Sequence, residues 1–129
     1  KQVSAVFYAF AKYLNRPEIS AIPKCRVPVE AGIRLIREAG GVSSWAHPPS
    51  DCTAEQIRRW RDWGLTAVEV EYPWSNPSHG KRLRQTATGL NLLVSGGSDF
   101  HGAEPANRKV GSRGVTSEEF ERLQDRTIH

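Results

Sequence analysis

Two short stretches hold most of the residues that could do chemistry. SGGSDFH, residues 95–101, sets Asp99 and His101 two positions apart behind a pair of glycines, and SWAHPP, residues 44–49, contributes His47. A carboxylate oxygen and a neutral imidazole nitrogen together suit a divalent metal ion, one donor hard and the other borderline. A lone Asp-x-His is more often a capped turn beside a surface histidine, so the pair needs support from its position in the fold. The glycine run offers some: it lets the chain leave a buried strand sharply and lets backbone approach a ligand.

The elements around these stretches repeat. Gly40, Gly64 and Gly89 stand 24 and 25 residues apart, each closing a helix-like pattern and each followed by a strand-like run. Apolar positions Ile33, Leu35, Ile36 and Ala39 predict one helical face after Pro28; Asp51 or Thr53 caps a helix carrying Ile57, Trp60 and Trp63; Asn76 or Ser78 starts another. The strand patterns are Val42–Ala46, the alternating AVEVE of Ala67–Glu71, and Leu92–Val94. An earlier helix spans Val3–Leu14, and Thr116 with Glu119 forms a capping box for a last one. Strands alternating with helices of this length predict an α/β fold with parallel strands and outer helices. Seven residues beyond the three glycines lie His47, Glu71 and Gly96, so the polar residues share the carboxyl-end face of the sheet, where parallel α/β folds build active sites. His47 therefore meets Asp99 and His101 at one face.

Composition narrows the class without choosing a substrate. The chain has 129 residues, enough for one modest domain, and a net charge of +4, a bias toward anions such as phosphorylated molecules. Two cysteines, Cys25 and Cys52, are too few for a disulfide framework or a cysteine-rich zinc site, so a reducing, cytoplasmic setting is expected. No apolar run is long enough for a membrane span. The chain holds no methionine and starts inside a helical pattern, and it reads as a piece of something longer.

GGVSSWAHPP, GLTAVEVEYPWSNP and NLLVSGGSDFHG together resemble the second half of the PHP (polymerase and histidinol phosphatase) family. The likeness is nearest to stand-alone bacterial phosphoesterases acting on nucleoside 3′,5′-bisphosphates and on the 5′ ends of short RNA, in the manner of 5′–3′ exoribonucleases. It covers roughly Phe10 to Gly111. The resemblance implies the C-terminal part of a distorted (β/α)7 barrel, with residues 1–26 ending a small helical insertion and 27–129 forming the barrel part. It implies two or three divalent ions (Mn, Fe or Zn) and assigns His47, Asp99 and His101 as metal ligands and catalytic residues. The family's opening H-x-H motif and its further Asp, His and Glu ligands do not occur here. The isolated chain is thus expected to be inactive, to need an N-terminal half, and to self-associate through an open edge. An alternative is a non-catalytic metal-binding PHP module, as attached to some polymerases; a third class is a nucleic-acid binder using the basic surface.

Other residues draw weaker roles. Lys24 and Arg26 match a basic stretch of the resembling enzymes and are expected to grip a substrate phosphate, although two solvated loop charges would look the same. Glu69 points opposite Val68 and Val70, so if the valines face the helices it faces the interior, beside a ligand histidine or in a structural ion pair. His79 and His129 are expected at the surface, Arg108 and Lys109 near an anion, and the four tryptophans in core and helix packing. Arg26→Ala is expected to raise KM for a nucleoside bisphosphate much more than for a simple aryl phosphate, because only the former has a second phosphate to hold; steady-state kinetics on both substrates checks it.

Overall fold

A computed structural model describes residues 6–23, 25–102 and 108–126. The alternation in AVEVE becomes β2 (Ala67–Glu71), the centre of a parallel sheet in the order β1-β2-β3, flanked by β1 (Ser44–Trp45) and β3 (Leu93–Gly96). Ser44 pairs with Ala67, Ala67 with Leu93, and Glu69 with Ser95. Period-two geometry sends Val68 and Val70 to one side of the sheet and Ala67 and Glu69 to the other. Val68 and Val70 are fully buried with Ile57, Leu83 and Ala87, which belong to the helices α4 (Ala54–Asp62) and α5 (Pro77–Gly89). The valines thus face the helices, which meets the condition under which Glu69 faces the interior.

The opposite face is concave. Ser44 and Ser95 belong to strands that do not adjoin, yet their hydroxyls lie 2.7 Å apart. Only a curled sheet brings them together, on a diagonal across β2, since Ser44 is in register with Ala67 and Ser95 with Glu69. Parallel strands, outer helices and this curvature make an α/β fold of the partial-barrel kind.

The helix starts are written in single residues. Thr53 accepts from the Gln56 N–H (3.1 Å) and Asn76 from that of His79 (2.7 Å). Thr116 and Glu119 close a reciprocal box at α6 (Ser117–Gln124), which packs on β3. Gly40 and Gly64 take left-handed backbone where helices stop, but Gly89 does not: α5 runs through it, and Asn91 makes the left-handed turn at φ 53°.

Two other expectations are corrected. The single helix over Val3–Leu14 is a short α1 (Val6–Ala9) widening into a π-helical turn at Phe10–Leu14, closed by the Asn15 N–H on the Phe10 carbonyl (2.8 Å). Residues 3–5 lie outside the described residues. After α2 (Pro17–Ser20), α3 (Val29–Glu38) buries Ile33, while Leu35 and Ile36 stay 55% and 42% exposed and Ala39 is exposed too. Val29, Gly32, Ile33 and Ile36 border Ser43–Ala46 at the edge of the sheet, where β1 is two residues long and no further strand is paired beyond it among the described residues.

Close packing of α5 on β2 generates a stability test. A methyl group on Gly80 would sit 2.8 Å from the Val70 carbonyl oxygen, whereas one on Gly32 in α3 meets nothing within 4 Å. Gly80→Ala is expected to cost about 1–3 kcal/mol by overpacking, and Gly32→Ala to gain about 0.5–1 kcal/mol from reduced chain entropy. Urea denaturation of both variants measures the difference.

Candidate active site

Most of the functional side chains lie on loops beyond the strand ends. His47 follows β1, Trp74 occupies the β2–α5 loop, and Asp99, His101 and Arg108 follow β3, while Glu69 stands in the middle of β2 on its concave face. The curled sheet draws these loops together. His47 Nε2 lies 3.5 Å from Glu69 Oε2 and 4.0 Å from Asp99 Oδ1. Glu69 Oε2 also accepts the His47 backbone N–H at 2.7 Å, so one carboxylate holds both the backbone and the ring of the same histidine. Burial pushes the Glu69 carboxyl above the usual carboxylate range; the hydrogen bond and charge of His47 pull it back, and nearby Asp99 adds to the rise.

The loop after β3 is organised by charge. Arg108 Nη1 lies 3.2 Å from Asp99 Oδ2, and the guanidinium covers the Trp74 ring at 4.7 Å. Trp74 in turn sets its edge against the His47 ring, with centroids 4.6 Å apart. His101 Nδ1 is 2.6 Å from the Asp99 carbonyl oxygen. A carbonyl can only accept, so Nδ1 carries the proton and Nε2 keeps a free lone pair. The 3.4 Å approach of Arg108 to the same nitrogen is therefore packing, since two donors face each other there.

The backbone is strained where the chemistry gathers. Among the described residues, three that are not glycine adopt positive φ: Asn91, His47 and Asp99, the last two both at 48°. Such conformations persist when surrounding contacts over-determine them, and they concentrate at functional sites. The glycines of SGGSDFH act differently from the expectation. A Cβ on Gly96 would meet the Glu71 Cβ at 2.8 Å, so Gly96 permits close approach of β3 to β2, while Gly97 has open space. The left-handed turn falls to Asp99 itself.

Placement of the other candidates is mixed. Glu71 shares the alternation of Glu69, but the register shifts between them, and its carboxylate reaches Arg113 (3.5 Å) and Arg84 (4.0 Å) instead of the cluster. Arg26 is exposed, with no hydrogen bond or ion pair among the described residues. Lys24 and His129 lie outside the described residues. His79, expected at the surface, is buried, because its ring nitrogens meet the Pro48 carbonyl (2.9 Å) and Arg82 (2.9 Å). Trp74, expected in packing, is 51% exposed at the mouth of the cluster, since it sits on a loop beyond the strand. Trp45, Trp60 and Trp63 pack against the core. Both cysteines are free thiols, Cys25 exposed and Cys52 buried.

Imidazole and carboxylate donors suit a divalent ion, and donors sharing a tetrahedral ion at ~2.1 Å stand roughly 3.4 Å apart. The His47–Glu69 spacing is close to that. Even so, among the described residues no group of three or more His, Cys, Asp or Glu side chains is gathered to hold a metal ion. Asp99 is engaged by Arg108, and the His101 side chain is 62% exposed. The types of donor at this face suit such an ion, and any further coordination would have to come from beyond the described residues.

No family model matches the chain, and no curated protein is significantly similar to it. Two solved structures are similar. The crystal structure of a proposed metal-dependent phosphoesterase from Bifidobacterium adolescentis is 27% identical, with a TM-score of 0.74 over 94% of this chain and 44% of that one. An amidohydrolase from Chromobacterium violaceum with bound sulfate is 24% identical, with a TM-score of 0.67 over 98% of this chain and 47% of that one, a likeness of fold alone. The chain thus spans less than half the length of either structure. Among the described residues, no helix is long and apolar enough to cross a membrane.

The left-handed backbone at Asp99 separates shape from charge. Asp99→Asn is expected to unfold close to the wild type, because Asn tolerates this conformation, whereas β-branched Asp99→Val should lose about 1–2 kcal/mol. Equilibrium denaturation followed by circular dichroism distinguishes them.

Proposed function

We propose that the chain forms one side of the active site of a PHP-type phosphoesterase that hydrolyses phosphate monoesters, with nucleotides and the 5′ ends of short RNA as the substrate class. The observation that carries this reading is the meeting of His47, just after β1, and Asp99, just after β3, with Glu69 of the central strand β2. The structural likeness to a proposed metal-dependent phosphoesterase supports it.

Divalent ions, when bound, supply Lewis-acid polarisation of the phosphoryl group and acidify the attacking water. His47, Asp99 and His101 would hold them. His101 presents Nε2 because its Nδ1–H is committed to the Asp99 carbonyl. Glu69 fixes His47 by accepting its N–H, a fastening that orients a ligand it precedes in no coordination of its own. Arg108 already binds one anionic oxygen, that of Asp99, and its planar fork can present N–H groups to a phosphate at the same mouth. Arg26, exposed before α3, and Lys24, two positions earlier in the sequence, serve a more distant phosphate. The exposed stripe of α3 and the β1 edge are where a further part of the barrel adds the remaining ligands.

In the complete protein, Asp99→Asn and His101→Ala are each expected to lower Mn²⁺-dependent phosphate release on the order of 100-fold or more and to reduce bound metal, while Arg108→Ala chiefly raises KM. Metal content and phosphate release are measured on the same preparations. Wild-type values in both ligand variants would overturn the assignment, and metal binding without turnover in the wild type would favour the non-catalytic PHP module.

A further inference from the structure

Pro48, directly after His47, is fully buried, and its carbonyl oxygen receives two donors. The Tyr72 hydroxyl donates to it at 2.6 Å, and His79 Nε2 lies 2.9 Å away. Tyr72 directly follows β2 and His79 sits in the first turn of α5, so the contacts cross 24 and 31 residues of chain. Two partners fix the His79 tautomer. Arg82 Nη2 is 2.9 Å from His79 Nδ1, a guanidinium can only donate, and so Nδ1 must accept and Nε2 must carry the proton that reaches Pro48. Arg82 is itself anchored, donating to the carbonyls of Cys52 (2.7 Å) and Ser50 (2.8 Å). Ser75 ties the turn between Tyr72 and α5 by donating to the Tyr72 carbonyl at 2.8 Å.

These bonds act on a residue that resists its conformation. His47 has φ 48°, a left-handed backbone that is unfavourable for any residue with a Cβ, and it precedes a proline, which pushes it toward extended backbone. Rotating His47 out of the left-handed region would swing the Pro48 carbonyl away from both donors and leave a buried tyrosine hydroxyl and the buried Nε2–H of His79 without their acceptor. We infer that Tyr72 and His79 are positioning residues: by converging on the Pro48 carbonyl they hold His47 in its left-handed conformation and aim its imidazole at Glu69 and Asp99. This deepens the proposed function, on which its catalytic consequence rests, while the positioning itself does not need that reading.

The test uses Tyr72→Phe, which deletes one hydroxyl, His79→Leu, which deletes the other donor, and His79→Gln, whose amide N–H can still reach Pro48. Two readouts are taken on the complete protein: Mn²⁺ affinity by titration, and the ¹H–¹⁵N signals of the His47 ring without metal. Tyr72→Phe and His79→Leu are each expected to shift the His47 ring signals and weaken Mn²⁺ binding roughly 10-fold or more, as loss of a ligand's supporting hydrogen bonds does, with His79→Gln returning both toward wild type. Should His79→Leu fail to fold, Tyr72→Phe carries the test alone. Unchanged ring signals and Mn²⁺ affinity in Tyr72→Phe, whatever its melting temperature, overturn the inference. If the wild type binds no Mn²⁺, the phosphoesterase reading fails, and the ring signals still decide the positioning.

Discussion

Burying Val68 and Val70 between the sheet and its outer helices decides where Glu69 must point. A fully buried valine contributes about 1.5–3 kcal/mol, and with a side-chain period of two the same strand cannot bury both valines without turning Glu69 to the concave face. Glu69 then fastens His47 through its backbone N–H. The alternation of a five-residue strand thus fixes one corner of the site before any polar interaction forms. The carboxylate can afford this place because His47 partly offsets the cost of its burial.

The rest of the site is an arrangement of opposed strains. His47 and Asp99 both hold left-handed backbone, on loops that leave strands at opposite edges of the sheet. The first is braced from below, by hydrogen bonds to Pro48 from β2 and α5. The second is braced from above, by Arg108 and by the imidazole of His101 on its own carbonyl. Trp74 joins the two sides, its edge to His47 and its face to Arg108. A loop on either side therefore moves only by disturbing the other.

Periodicity made much of this legible. AVEVE announced both the strand and the inward turn of Glu69, and the strand-end positions of His47 and Asp99 followed from the spacing of helix and strand patterns. Glu71 eluded that logic because a register shift is a property of two paired strands, and residue alternation describes only one. His79 was unreadable for a related reason. Its helix start could be placed at Asn76 or Ser78, and its burial depends on a carbonyl 31 residues earlier in the chain. Trp74 and Arg108 sit on loops, where no periodicity constrains direction; Pro73 before Trp74 marks the break, not the heading. The exposed stripe of α3 has the sequence pattern of a buried face, because amphipathicity records what a helix is built to cover, and among the described residues no strand is paired beyond β1.

Ala67 has a role that its lack of chemistry conceals. It is fully buried on the concave face, in register with Ser44 and beside the diagonal along which the Ser44 and Ser95 hydroxyls meet across β2. A longer side chain there would act as a wedge, prising the outer strands apart and flattening the curl. Loops that leave those strands travel on levers several residues long, so a small opening at the sheet becomes a larger separation at their tips. The volume at position 67 therefore works as the calliper setting of the site, determining the gap between the histidine from one edge strand and the aspartate from the other.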